Sequence, residues 1–256
     1  PQGTLFGRNT PAGVVKFESV KPGKKHEGYA SLGIGTLGTT NLEGAATFPL
    51  SSTVSTRISL LDQRRSDWVD NEYDAGPTQK LEGYRDSAIK AQLLYEPDKN
   101  FRALFNLHAR DLDGSARLFR ANIINPGTND LVPGFDREKV TYDGANESKL
   151  QTLGGSARLR WNLGGLVLHS ITGYESLDTF NRGDIDGGYG AAFLPDSGPG
   201  TIPFASETAD GMPKHRQITQ EIRLESDSKG PLNWQAGVYF FNEDYQVESF
   251  SYDSLN

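Results

Sequence analysis

One pattern constrains this chain more than any other. Apolar and polar residues alternate with period two, segment after segment. Val54, Thr56, Ile58 and Leu60 alternate with Ser55, Arg57 and Ser59. Ser87, Ile89, Ala91, Leu93 and Tyr95 alternate with Ala88, Lys90 and Gln92. Phe101, Ala103, Phe105, Leu107 and Ala109 alternate with Arg102, Asn106, His108 and Arg110. The same holds for Leu153, Gly155, Ala157, Leu159 and Trp161, and for Ile218, Ile222 and Leu224 against Thr219, Glu221, Arg223 and Glu225. Trp234, Ala236, Val238 and Phe240 close the series. Successive side chains on a strand point to opposite faces, so each segment carries one apolar and one polar face. No convincing amphipathic helix is found.

The alternation predicts strands at 13–20, 27–37, 41–48, 53–64, 84–96, 101–112, 148–162, 166–180, 216–226 and 232–249. The segment at 166–180 is less regular, because Val167 and Ile171 fall opposite Leu166, Leu168 and Tyr174. Most are roughly 10–17 residues long, well beyond the usual mode of about 5–6. A tilted strand needs about 9–11 residues to cross a bilayer.

The joints are as informative as the strands. Pro49–Ser52, Pro97–Asn100, Gly164-Gly165 and Asp227–Pro231 are short. The alternate joints, at about 65–83, 113–147 and 181–215, are long; Gly38–Thr40 departs from the rule by being short. A soluble sandwich has no reason to place its long loops at one end of successive hairpins. An outer-membrane barrel does, with short periplasmic turns and long external loops. Long loops without structure of their own are otherwise uncommon in a compact domain.

Composition narrows the classes. The chain has 256 residues, no cysteine and one methionine, Met212, so it is expected to be an excerpt or a processed chain. Without cysteine there is no disulfide framework, thiolate metal site or cysteine nucleophile. Four scattered histidines, His26, His108, His169 and His215, form no ligand pair at strand or helix spacing, and no metal site is expected. A net charge of −7 argues against nucleic-acid binding. A mean hydropathy of −0.54 and no long apolar run exclude a transmembrane helix, but not a barrel. No catalytic constellation is found, so no enzyme and no cofactor are expected.

On the polar face, Arg57, Lys90, Arg102, Arg110, Arg158, Arg160, Glu221, Arg223 and Glu225 share one surface. That surface would be solvated in a sandwich and would line the lumen of a barrel. The quoted apolar faces carry no Lys or Arg. Against lipid, an Arg near the midplane costs about 2–4 kcal/mol; an amphipathic soluble strand would show the same pattern. Gly33-Ile34-Gly35-Thr36-Leu37-Gly38 matches a dinucleotide-binding spacing, but another alternating segment follows where a helix is required. Asp184-Ile185-Asp186-Gly187-Gly188 loosely matches a calcium loop, yet lacks the later Glu of an EF-hand, and is read as a solvated external loop. Trp68, Tyr73, Phe119, Phe135, Tyr142, Tyr189 and Phe193 fall in the long loops. They form either a ligand-binding vestibule or the packing of loop on loop.

The first residues carry a motif. Pro1-Gln2-Gly3-Thr4-Leu5-Phe6-Gly7-Arg8-Asn9-Thr10-Pro11-Ala12-Gly13-Val14-Val15-Lys16-Phe17, followed by Lys21-Pro22, closely resembles the end of the plug domain of TonB-dependent outer-membrane receptors. Phe6 holds the family's aromatic position, and Ala12 replaces the first of its paired glycines. Gln220–Ser226 with Leu232–Phe240 is similar to a barrel hairpin of that family. The resemblance implies an all-β fold, an antiparallel transmembrane β-barrel preceded by the end of an N-terminal plug. Residues 1–22 would be plug and 23–256 the first part of the barrel, about nine of roughly 22 strands. Nine strands leave open edges, so a piece of a larger receptor is expected.

The resemblance further implies active uptake across the bacterial outer membrane, energised by TonB through the missing N-terminal part. The ligand class it favours is a ferric siderophore; cobalamin, haem and glycans are the others. Arg8 and Asn9 would lie on a plug loop, with Glu221 and Arg223 on the lumen wall. Glu221 would pair with Arg8 or with a wall arginine such as Arg158 or Arg160. A passive porin and a soluble all-β binding or glycan-interacting module are the competing readings.

Overall fold

The computed structural model describes residues 18–191, 202, 204–228 and 230–253. Among these, one antiparallel sheet holds nine strands: β1 (Glu27–Ile34), β2 (Thr40–Pro49), β3 (Val54–Arg65), β6 (Tyr84–Tyr95), β7 (Phe101–Gly114), β9 (Glu147–Asn162), β10 (Leu166–Asp184), β11 (Ser206–Ser226) and β12 (Gln235–Asp253), in that spatial order. A second sheet is built from loop segments: β4 (Val69–Asn71), β5 (Lys80–Leu81) and β8 (Lys139–Val140), in the order β5-β4-β8. The fold is all-β. It forms a part of a barrel wall in which every strand pairs with the next long strand in sequence.

Register carries the alternation intact from strand to strand. Leu60 lies opposite Ile89, Ile89 opposite Ala109, and Ala109 opposite Leu153. Trp161 lies opposite Leu168, Leu168 opposite Leu224, and Leu224 opposite Ala236. A slip of one residue would exchange the faces. The apolar face is uncovered by any described residue: Leu60, Leu107, Leu153, Ile222, Val238 and Phe240 are all exposed.

This apolar face is a band with two borders. At the loop end it stops at a polar row, Asp62, Ser87, Asp111, Gln151 and Asp178, each opposite the next. At the turn end it carries aromatic rings: Phe101 sits edge-on between Tyr95 and Trp161, with ring centroids 6.1 Å apart in both pairs. On β9 the ten steps from Gln151 to Trp161 span roughly 33 Å along the strand. A tilt of about 45° brings that to about 23 Å, close to the 25 Å band of outer-membrane barrels.

The turns are tight for local reasons. Leu163 to Leu166 closes with Gly164 and Gly165 both at positive φ, 75° and 90°, the conformation of a type I′ hairpin. Asp98 Oδ1 accepts from the backbone N–H groups of Asn100 (2.7 Å) and Phe101 (3.0 Å), closing its own turn.

Three expectations need correction. First, β10 and β11 run on to Asp184 and back to Ser206, beyond the expected 180 and 216, which shortens the third long loop. The alternation hides this because β11 holds a bulge: Leu177 faces His215, but Thr179 faces Met212, leaving one extra residue around Pro213. A proline has no N–H for the ladder, and a bulge is where a central strand tolerates one. Second, the first two long loops are not irregular, since they supply the small sheet. Third, the expected strand at 13–20 lies outside the described residues up to 17, and 18–20 form no strand.

Candidate functional site

The polar face opposite the apolar band carries every charged residue that alternation placed there. It is organised by pairs. Arg110 grips Asp86 with two parallel hydrogen bonds of 2.8 and 2.7 Å, and Asp86 is buried. Such bidentate contacts are directional as well as strong. Arg57 donates to Thr47 Oγ1 at 2.8 Å. Gln92, Asn106 and Ser156 form a side-chain ladder across three strands, at 2.9 and 3.0 Å. His108–Glu175, His169–Glu225 and His215–Glu243 pair at 3.0, 2.9 and 2.9 Å.

The first of these pairs depends on a glycine. His108 on β7 and Glu175 on β10 are separated by β9, where Gly154 lies between them. A Cβ at Gly154 would stand 2.1 Å from Glu175 Oε2 and 2.6 Å from His108 Cε1. Glycine therefore opens the channel through which two non-adjacent strands touch.

The segment before β1 lies against this same face. Lys90 Nζ donates to Ser19 Oγ at 2.5 Å. Glu18, Ser19 and Lys21 share a cleft of about 120 Å³ with Lys90, Asn106, His108 and Arg158. The alternation places Lys90 on this face, but nothing in the sequence pattern points to Ser19 as its partner.

Of the expected plug contacts, Arg8 and Asn9 lie outside the described residues. Glu221 accepts from Arg223 Nη1 at 3.1 Å, its neighbour two positions along the same strand. The expected wall partners for Glu221 were Arg158 and Arg160; the described contact is Arg223 instead, which the two-residue spacing on one face allows.

The three long loops meet at the other end of the sheet. Val69, Leu81, Val140 and Tyr142 form a buried core, with Trp68 and Leu118 packed against it. Asn71 ties the loops together. Its Nδ2 donates to the carbonyls of Thr78 (2.8 Å) and Tyr142 (2.7 Å), and its Oδ1 accepts from the Tyr142 N–H (2.8 Å). The Tyr142 hydroxyl donates to the Phe119 carbonyl.

The seven loop aromatics therefore divide. Tyr142 is fully buried in the core, and the partly buried Trp68 packs against it. Tyr73 and Tyr189, from the first and third loops, stack with centroids 4.5 Å apart and planes 15° from parallel. Tyr189 and Phe119 are exposed. Phe135 lines a cleft of about 200 Å³ with Glu72, Arg120, Asp136, Lys139 and Thr141. Phe193 lies outside the described residues.

Beyond the polar border of the band, Asp143, Asp184 and Asp186 come together, with one carboxylate oxygen from each within 4.8 Å of the others. Asp184 is not solvated, contrary to the reading of its loop; it is 0 % exposed. Burial, then the adjacent Asp186, pushes its carboxyl up to about 7. Burial raises Asp143 as well. Gly187 and Gly188, at φ 93° and 110°, turn the chain tightly against Ala121 and Thr141, where a Cβ would come within 2.3 and 2.5 Å of backbone.

No protein-family model matches the sequence. Among solved structures, the chain is similar to the ferric yersiniabactin uptake receptor FyuA from Yersinia pestis, with a TM-score of 0.65 and 13% identity over 92% of this chain. The match covers 33% of the receptor, so the chain spans about a third of its length. At that identity the likeness establishes the fold. The copper transporter OprC aligns with a TM-score of 0.30 and 10% identity, over 91% of this chain and 44% of that one, which carries no argument.

Proposed function

We propose that this chain is part of a TonB-dependent receptor of the bacterial outer membrane: the end of a plug and the first nine strands of the barrel around it. The observation that carries this is the use of the two faces. One is a bordered apolar band of bilayer height, uncovered by any described residue. The other is a paired, charged wall with the preceding segment, residues 18–21, resting on it. An empty porin lumen gives that segment no reason to lie there, and a soluble sandwich would press a second sheet onto the apolar band.

In this reading the plug enters along the wall where Lys90 meets Ser19, and Arg8 and Asn9 contact the lumen with Glu221 and Arg223. The external loops present Tyr73, Tyr189, Phe119, Phe135 and Phe193 to a scarce ligand too large for passive diffusion. A ferric siderophore is the favoured class, in keeping with the cargo named for the structural neighbour. TonB, acting through the N-terminal plug, supplies the energy to open a path. The test is uptake of radiolabelled ferric siderophores by cells with and without the full-length protein, under iron limitation. Uptake that requires both the protein and TonB is expected; equal uptake without either would overturn the assignment.

A further inference from the structure

We propose that Asp143, Asp184 and Asp186 hold a hard divalent cation of the calcium class, which clamps the second external loop to the third. Three carboxylates, Asp143 from the second loop, Asp184 from the end of β10 and Asp186 from the third loop, converge until one oxygen of each lies within 4.8 Å of the rest. Two oxygens bound to one calcium ion can stand no farther apart than about 4.6–5.2 Å, twice the metal–oxygen bond. The donor set fits as well as the spacing: all oxygen and all carboxyl, from three separate backbone positions, which suits a large ion with flexible coordination better than an octahedral one.

A cluster of acids alone would not justify this. The independent observation is hydrogen-bond accounting. Asp184 is 0 % exposed, yet its Oδ2 meets no donor among the described residues, and its carboxylate points into the space shared with Asp143 and Asp186. Asp143 Oδ1 is enclosed and equally without a donor. Asn146 lies beside Gly183, is 8 % exposed, and has no partner for either amide atom. Buried polar atoms are almost always satisfied, and a bound cation would satisfy the two enclosed carboxylate oxygens of this cluster. Arg182 binds Glu207 at 2.5 Å, Arg120 Nη2 donates to the Arg137 carbonyl, and no described Lys or Arg forms an ion pair with the three aspartates.

The clamp has a structural consequence. Asp143 follows Tyr142 of the loop core, and Asp186 leads by three residues to Tyr189, which stacks on Tyr73. A cation joining Asp143 to Asp184 and Asp186 would fix the third loop on that core and so hold the exposed tyrosine pair in place. This does not depend on the transport reading; it concerns how the loops are braced.

The test uses the full-length protein in detergent, stripped of metal and titrated with terbium, whose emission is excited through nearby tyrosine such as Tyr142. Saturable emission that calcium reverses is expected, with apparent affinity lowered about tenfold or more in Asp184→Asn and Asp143→Asn, since ligand charge sets calcium affinity. Asp186→Asn, at a half-buried position, is the control for folding, judged by heat-modifiable gel migration. It should fold and bind weakly. Absence of saturable emission, or emission unchanged in a folded Asp186→Asn variant, would overturn the site and leave a proton shared between carboxyls as the explanation.

Discussion

The long sheet and the loop cluster solve the same problem in opposite ways. The sheet keeps its large apolar residues outside: Leu107 is 66 % exposed and Val238 69 %. The loops, with far fewer such residues, bury Val69, Leu81, Val140 and Tyr142 among themselves. In water alone this would be backwards, because burying apolar area is the main force that folds a chain. It is reasonable if the two regions have different solvents. In the proposed reading the sheet's apolar band would meet hydrocarbon and need no protein partner, while the loops would meet water and have to build a core of their own.

The largest effect that would sharpen this contrast is expected for Tyr142→Ala. It removes the largest side chain of the loop core and should cost that region about 3–5 kcal/mol. Limited proteolysis should then cut within 65–83 and 113–146 while the sheet stays intact; loops that remained resistant would mean the core does not hold them. Next is a pair of adjacent residues on opposite faces. Leu60→Arg should cost about 2–4 kcal/mol in folding into bilayers. Ser59→Arg, which borders a hollow of about 600 Å³ on the polar face and lies opposite Lys90, should cost no more than about 1 kcal/mol. Equal costs would break the assignment of faces.

Asn71→Ala comes third. It strips partners from the Tyr142 backbone and the Thr78 carbonyl, and should loosen the loop cluster by about 1–3 kcal/mol, seen as faster amide exchange there and not in β6 or β7. The smallest effect is expected for Gly154→Ala. Its methyl group intrudes on a half-exposed pair whose long side chains can move aside, so the cost should be about 0.5–1 kcal/mol, and His108 should separate from Glu175. Chemical shifts of the His108 ring that matched the parent protein would show the pair still joined.

Much of the sheet was legible because one face of each strand is nearly uniform. Periodicity placed segments on all nine long strands and assigned the faces of six of them, and the register set at each tight turn then leaves little freedom to the next strand. It failed where polarity stops varying. Past the polar border of the band both faces carry polar residues, so the extensions of β10 and β11 give no alternating apolar signal, and Pro213 reads as a break. The loop core was missed for a related reason. Val69, Leu81 and Val140 are isolated apolar residues in polar surroundings, and β4 pairs with β8 in parallel across about 70 intervening residues. Tyr142 stands out in the sequence only as an aromatic residue on a loop, and which loop aromatics turn inward is decided by those distant pairings. Asp184 stands out for its spacing, but its burial at the end of β10, beside Asp143 from the second loop, is set by distant pairings.

The central claim is that the apolar band faces lipid and the opposite face does not. Because this sequence contains no cysteine, single cysteines at each position from 151 to 162 of β9 can carry a spin label without interference from the rest of it. With the full-length protein in bilayers, labels at 153, 155, 157, 159 and 161 should be relaxed strongly by oxygen and weakly by a polar nickel complex. Even-numbered positions should lack that oxygen preference. If the odd-numbered positions were shielded from both reagents, the band would be packed against protein, and the barrel-wall account would fail.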